Sequence, residues 1–249
     1  MFENISWQTW VPLYLQCYAG LKIPGITHNL NNYIHILDMQ VSLLSSKCNS
    51  KPDTPISDYR DRLDKINENN HNLLDFLHIN SNWSFYTQKE RIQTGIPDFI
   101  DWLTRFWTND LFCKHKISIE IELEDNLPNL DLPALTLTFC MDQALSNATE
   151  ACCLINPDVE QNIALNAAAE KNGVRLSLVS PQPMAMDENT AWQAGTSSKE
   201  GHLGLGLYLI QDMCADLGWE TRIITGAEST EFHLLIPEKK TEFEFGRAD

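Results

Sequence analysis

His28 stands in the run Gly25-Ile26-Thr27-His28-Asn29-Leu30-Asn31-Asn32, two positions before the apolar residue Leu30. That offset carries the imidazole off the apolar stripe of a helix and into solvent, and Asn32 falls one turn later on the same face. An exposed imidazole is a nucleophile towards phosphorus, and the phosphoramidate it forms passes the group on readily. A second run, Asp142-Gln143-Ala144-Leu145-Ser146-Asn147-Ala148-Thr149-Glu150-Ala151, sets Asn147 in the middle of an apolar helix. Asn is a mediocre helix former, so a carboxamide there, followed by a small Ala, points to contact with a metal or phosphate. A third run, Ser197-Ser198-Lys199-Glu200-Gly201-His202-Leu203-Gly204-Leu205-Gly206-Leu207, alternates Gly with Leu at the mouth of a helix. Bare backbone amides and the helix dipole favour an anion at such a place, and Lys199 stands just upstream. Each run alone has a blander reading: a surface histidine, a solvent-facing asparagine, a tight turn.

The elements that must hold these residues fall into two textures. After the punctuation at Pro24-Gly25, Leu30, Ile34, Leu37, Val41 and Leu44 alternate by four and three, the seam of a bundle helix. Cys48 to Pro55 breaks the pattern, and Thr54-Pro55 reads as an N-cap with proline in the first turn. Ile56, Tyr59, Leu63, Ile66, Asn70, Leu73 and Leu77 then resume it. Such a helical hairpin has little core of its own, so dimerisation into a four-helix bundle is expected. Further on, Ile117, Ile119, Ile121 and Leu123 alternate as a half-buried strand, and Leu135 to Leu154 reads as a helix. Ile163 to Ala168 and Val174 to Val179 are strand-like runs flanking a hairpin signal, Asn172-Gly173. A helix from about Leu205 to Leu217 and strands at Ile223 and Phe232 to Ile236 complete an α/β sandwich.

Composition narrows the function classes. The chain has 249 residues, 43% hydrophobic and 21% charged, as ordinary globular proteins do. Thirty-four acidic against eighteen basic residues give a net charge of −16, a field that repels nucleic acid. The apolar-leaning stretch Trp10 to Leu21 is broken by Pro12 and Gln16, too short and polar to span a bilayer, and no leader pattern precedes it. Seven cysteines without a CxxC spacing fit a reducing compartment. A cytoplasmic protein is expected. Cys113-x-His115 and Cys152-Cys153 lack the spacing of a zinc site, and Phe99, Trp102, Phe106 and Trp107 at helical spacing read as interdomain packing.

Taken together and in this order, the three runs resemble the core of the sensor histidine kinases of two-component signalling, over roughly residues 20 to 237. The first resembles the phosphoacceptor box, the second the N-box, and the third the lid end and second glycine box of the Bergerat-type ATP-binding domain. The resemblance implies an α+β protein: a helical hairpin forming a dimeric four-helix bundle, followed by an α/β sandwich of the histidine-kinase ATPase type. It divides the chain into a helical extension (1–22), a dimerisation and phosphoacceptor hairpin (23–92), a degenerate ATPase-like domain (93–238) and a charged, frayed tail (239–249).

Departures from the family pattern are as telling as the matches. Where the family places Asp-x-Gly-x-Gly, whose Asp holds the adenine amino group, this chain has Ser180-Pro181-Gln182-Pro183-Met184. A ligand donor left without its acceptor costs about 1–3 kcal/mol, and side chains replace the two glycines at the entrance. The acid that usually follows the phosphoacceptor as general base is here Asn29, which cannot take a proton. Gln143, four before Asn147, stands where related ATPases place a hydrolytic Glu. The first two losses fall on the ATP half-reaction and spare phosphotransfer, whose metal and nucleophile a receiver domain supplies. Asn32 matches a position that in some bifunctional kinases orients water for dephosphorylation.

The expectation is therefore a cytoplasmic, homodimeric phosphorelay protein that carries a phosphoryl group on His28 between response-regulator receiver domains, without ATP. The lack of a sensor region before residue 20 is read the same way. An alternative is an active, ATP-dependent histidine kinase in which Asn147 would hold Mg, Lys199, Gly204 and Gly206 the phosphates, and Asp187 would replace the missing acid. A third is a non-catalytic pseudokinase that binds a regulator.

Overall fold

The computed structural model describes residues 6–110, 115–155, 159–199 and 201–238. The tail 239–249 and Cys113 lie outside them. Helix α1 spans Trp7–Ser50 and carries Pro12 and Pro24 inside it. The break expected at Pro24-Gly25 does not occur. Its buried residues, Trp7, Val11, Leu15, Tyr18, Lys22, Gly25 and Asn29, recur every three or four positions and form one stripe that passes Pro24 without a change of phase. Pro24 removes the amide partner of the Gly20 carbonyl, but both residues are on the exposed side, where water takes the freed oxygen. Tertiary packing along the stripe thus overrides the local proline signal. The helical extension and the first helix of the hairpin are one rod.

After a short loop and a 3-10 turn at Ile56–Tyr59, flanked by Pro55 rather than capped by Thr54, α2 spans Arg60–Ser81 and runs back along α1. The Tyr33 and Phe76 rings meet at 5.4 Å, and Arg62 donates to Gln40 at 3.0 Å. Much of the apolar seam stays open: Ile34, Val41, Leu63 and Leu77 are exposed.

The connection from the hairpin to the sheet contains elements with no clear sequence signal. A single turn at Trp83–Tyr86 leads to β1 (Arg91–Gly95), which pairs antiparallel with β3 (Asn129–Pro133) as a separate two-stranded sheet. Between them lie α3 (Ile96–Trp107) and β2 (Ile117–Leu123). Phe99, Trp102, Phe106 and Trp107 are buried as expected of packing residues, with Trp102 stacked on Tyr86 and Phe106 on Trp83. Trp102 Nε1 also donates to the Ile79 carbonyl of α2 at 3.0 Å. This aromatic joint makes the core continuous from the hairpin to the sheet.

Helix α4 (Ala134–Ile155), strands β4 (Gln161–Glu170) and β5 (Gly173–Ser180), helix α5 (Gly206–Leu217), and strands β6 (Glu220–Thr225) and β7 (Thr230–Pro237) complete the chain. The five-stranded sheet has the order β2-β4-β5-β7-β6, parallel only between β2 and β4. The β4–β5 hairpin forms, but Gly173 lies in β5 rather than in the turn. A Cβ there would stand 2.0 Å from the Ile236 oxygen, so glycine is needed for the approach of β7. Helices α4 and α5 pack on the sheet and on each other, and the first part of α1 packs across both. The α+β class and the helical hairpin followed by a sandwich are as expected.

Candidate functional site

Two groups of the sequence-predicted residues occupy different places. On α1, His28 and Asn32 are exposed, and Asn32 Nδ2 lies 3.2 Å from His28 Nε2. With the amide donating, Nε2 is the nitrogen that carries the lone pair and Nδ1 carries the ring proton. Asn29, next to the imidazole in sequence, points the opposite way and is buried. Its amide nitrogen donates to the Thr108 carbonyl at 3.5 Å and to Asn109 Oδ1 at 3.4 Å. One turn earlier Gly25 meets the same segment so closely that a Cβ would stand 1.7 Å from the Asn109 oxygen. Lys22 adds an ion pair with Asp110 at 2.8 Å, with its ammonium over the Tyr18 and Trp107 rings. The buried stripe therefore clamps α1 to the end of α3 and the residues just after it, while His28 faces away.

The second group lines a cavity of about 650 Å³. Asn147, Ala148 and Ala151 of α4 form one wall, and Leu178, Ser180 and Met184, at the end of β5 and beyond, another. Lys199, Gly204 and Gly206 close a third side. Gly204 has φ +65°, and a Cβ would stand 2.4 Å from the Thr196 oxygen, so the turn requires glycine twice over. Gln143 Oε1 sits where a Gly206 side chain would be, at 2.3 Å. Lys199 Nζ donates to Asn147 Oδ1 at 3.1 Å and is ion-paired with Glu150. Thus Asn147, Lys199, Gly204 and Gly206 do come together, though their polar atoms are turned to each other. Asp187 is placed differently from the role suggested for it. It caps the turn Glu188–Ala191, accepting from the Asn189 amide and the Thr190 hydroxyl, which hold its carboxyl below the usual range, and it does not line the cavity.

Two features had no role in the sequence reading. The fourth side of the cavity is α1 itself, through Trp10, Leu13, Tyr14 and Cys17. Nothing in a linear pattern says that an amphipathic extension folds over this site. The other is Asp142, fully buried on α4, where Tyr14 Oη donates to it at 3.1 Å. Burial pushes its carboxyl up to about 7, against the nearby Tyr18 and Tyr14 hydroxyls and the Lys22 charge, which favour the anion. Burial, then the Asp142 charge, raises the Tyr14 phenol well above its ordinary value. An acid inside an otherwise apolar helix face was the available signal for Asp142.

Along α1, His28 lies roughly 16 Å beyond Cys17 at the helical rise of about 1.5 Å per residue. Among the described residues no group of three or more His, Cys, Asp or Glu is placed to hold a metal. Nor is any described helix long and apolar enough to cross a membrane.

No protein-family model and no curated protein matches the chain. Solved structures do. The catalytic domain of the histidine kinase ThkA superposes with a TM-score of 0.51 at 16% identity, covering 60% of this chain and 96% of that domain. Full-length ShkA in complex with AMPPNP matches with a TM-score of 0.50 at 14% identity, over 90% of this chain and 45% of that one. The Acinetobacter baumannii histidine kinase AdeS covers 86% of this chain and 98% of its own, at 12% identity and a TM-score of 0.49. At these identities the likeness is one of fold.

Proposed function

Proceeding from a chain with the histidine-kinase-core fold, we propose that it is a phosphorelay protein carrying a phosphoryl group on His28 between response-regulator receiver domains, as a homodimer and without nucleotide. One observation carries this reading. The imidazole of His28 is exposed and paired with Asn32, whereas Asn29, in the place of the usual base, is buried against Asn109. A residue turned away from the imidazole and unable to take a proton gives no help to attack on ATP.

In the forward step the Nε2 lone pair of His28 forms the N–P bond while the aspartyl O–P bond of a receiver breaks, and the receiver carboxylate leaves with the electron pair. The reverse step, on a second receiver, restores the imidazole. Such transfer needs in-line access to an exposed ring, and the receiver's own metal neutralises the oxygens in flight.

The arrangement of the cavity residues supports a reading without Mg-ATP. The Asn147 oxygen that would hold the metal accepts from Lys199, and the Lys199 charge is taken by Glu150. At the end where an adenine-holding carboxylate would stand, the lining is Ser180 and Gln182 with Pro183 and Met184, none of which carries a charge. The clamp of α1 on both α4 and α5 further opposes the swing that would bring a nucleotide domain to a histidine. The open seam of the hairpin supports a homodimer, since Ile34, Val41 and Leu77 lack cover in one copy.

The test is transfer from receiver domains of the host, charged with radiolabelled acetyl phosphate, to the purified protein. Acid-labile, base-stable label on wild type and none on His28→Gln is expected, with no label from millimolar Mg-ATP. Equal labelling of His28→Gln would overturn the reading, and label on His28 from ATP would make the protein a kinase.

A further inference from the structure

We propose that the cavity between α1 and the sheet domain is a binding site for an uncharged, largely apolar small molecule, in contact with the same helix that carries His28. This does not rest on phosphotransfer through His28. The cavity, at about 650 Å³, falls inside the range of about 300–1,000 Å³ typical of small-molecule sites, which are mostly apolar with a few polar groups.

Its chemistry argues for the ligand class. Four of the large hydrophobic residues left exposed in this protein, Trp10, Leu13, Leu154 and Leu203, all line this one cavity. Exposed apolar area gathered at a concave site marks a binding function, whereas scattered single residues need no explanation. Met184 and Met186 add flexible, polarizable side chains that adapt to apolar guests. Of the basic side chains at the wall, Lys199 is paired with Glu150 and bonded to Asn147, and His202 stands 4.0 Å from the same Glu150 carboxylate. With a chain charge of −16, neither a free cation nor the long-range field favours an anionic ligand. An uncharged molecule loses nothing to that field and gains from the apolar walls.

The site also has a mechanical consequence. Trp10, Leu13, Tyr14 and Cys17 are its α1 wall, and α1 continues unbroken to His28. An occupant is therefore held between the sheet domain and the helix on which the imidazole is displayed.

The experiment is fluorescence titration of the full-length protein with N-phenyl-1-naphthylamine, a neutral aromatic probe that brightens in apolar surroundings. Saturable binding of one probe per chain with micromolar Kd is expected. Leu13→Glu puts a charge on an exposed rim position, and Ala151→Trp fills the cavity from α4; each should weaken binding by about tenfold or more. Leu13 is half exposed, so the first variant keeps the test valid even where the second fails to fold. Millimolar Mg-ATP should leave the signal unchanged. No saturable binding, or equal affinity in the folded variants, would overturn the proposal. So would displacement by Mg-ATP, which points to a nucleotide site. Affinity that falls as protein concentration rises would assign the cavity to a second copy of the chain instead.

Discussion

Asn32 Nδ2 stands 3.2 Å from His28 Nε2, one turn along the exposed face of α1. With the amide donating, the bond keeps the lone pair on Nε2, which Asn32 must release before that nitrogen attacks, and the freed carboxamide can position a water against a receiver's aspartyl phosphate. Asn32→Ala should therefore separate two activities. Phosphoryl transfer onto His28 is expected to stay within about threefold of wild type. Hydrolysis of the receiver's aspartyl phosphate in the presence of the protein should slow by about tenfold or more, as loss of a water-positioning group does. Loss of labelled phosphate from a charged receiver, followed with and without the variant, measures both.

Restoring the family's acid beside the histidine should not restore kinase activity here. Asn29 donates to two acceptors, the Thr108 carbonyl and Asn109 Oδ1. In Asn29→Asp a carboxylate faces those oxygens with no donor to offer. The variant should lose about 1–3 kcal/mol of stability in urea unfolding and gain no label from ATP. Autophosphorylation in Asn29→Asp would show that the side chain can turn to the imidazole.

Gly25 should be intolerant of any side chain. A methyl group there would stand 1.7 Å from the Asn109 oxygen, a backbone atom that cannot step aside alone. Gly25→Ala should lower stability by about 1–3 kcal/mol despite the higher helix propensity of alanine. Gly20→Ala, on the same helix with open space around its Cβ, should be neutral or slightly stabilising. Thermal midpoints of the two variants give the comparison.

Stability should depend on pH through Asp142. Burial raises its folded-state carboxyl to about 7, well above the usual carboxylate range of about 4. The folded state thus holds a proton that the unfolded chain gives up. Its contribution is fully present below about pH 4, falls as the pH rises towards 7, and is lost above. Asp142→Asn mimics the protonated carboxyl, so it should flatten this part of the profile. Urea midpoints of the two proteins should then differ most above pH 7 and converge towards pH 4.

Most of the fold could be read locally. The period-two run at Ile117 to Leu123 became β2 with those bounds, and the Gly-Leu alternation before Gly206 became the mouth of α5. These signals depend on the residues within one element, where periodicity and glycine content suffice. Strands β1 and β3 escaped because each is five residues long, and neither has enough alternation to stand out from a loop. Pro24 misled for a physical reason: a proline signal is local, and its cost was outweighed by a buried stripe that packs on α4 and α5 and, through Tyr18 and Lys22, on Trp107 of α3.

The candidate site divides in the same way. The stripe buried on α1, through Lys22, Gly25 and Asn29, was not legible, but that His28 projects off the seam through Leu30 and Ile34 follows from helical spacing, and the sequence alone determined it. It also fixes which residues, Ser180 to Met184 and Asn29, stand where the resemblance expects an adenine-binding box and a base. What those replacements do was decided by tertiary structure. Only the folded chain turns Asn29 onto Asn109, joins Lys199 to Asn147, buries Asp142 beneath Tyr14 and lays Trp10 and Leu13 over the cavity. Each of these pairs unites residues from different elements, far apart in the chain. Their meeting is set by the packing of whole helices and sheets, to which a periodic pattern within one segment contributes only one surface.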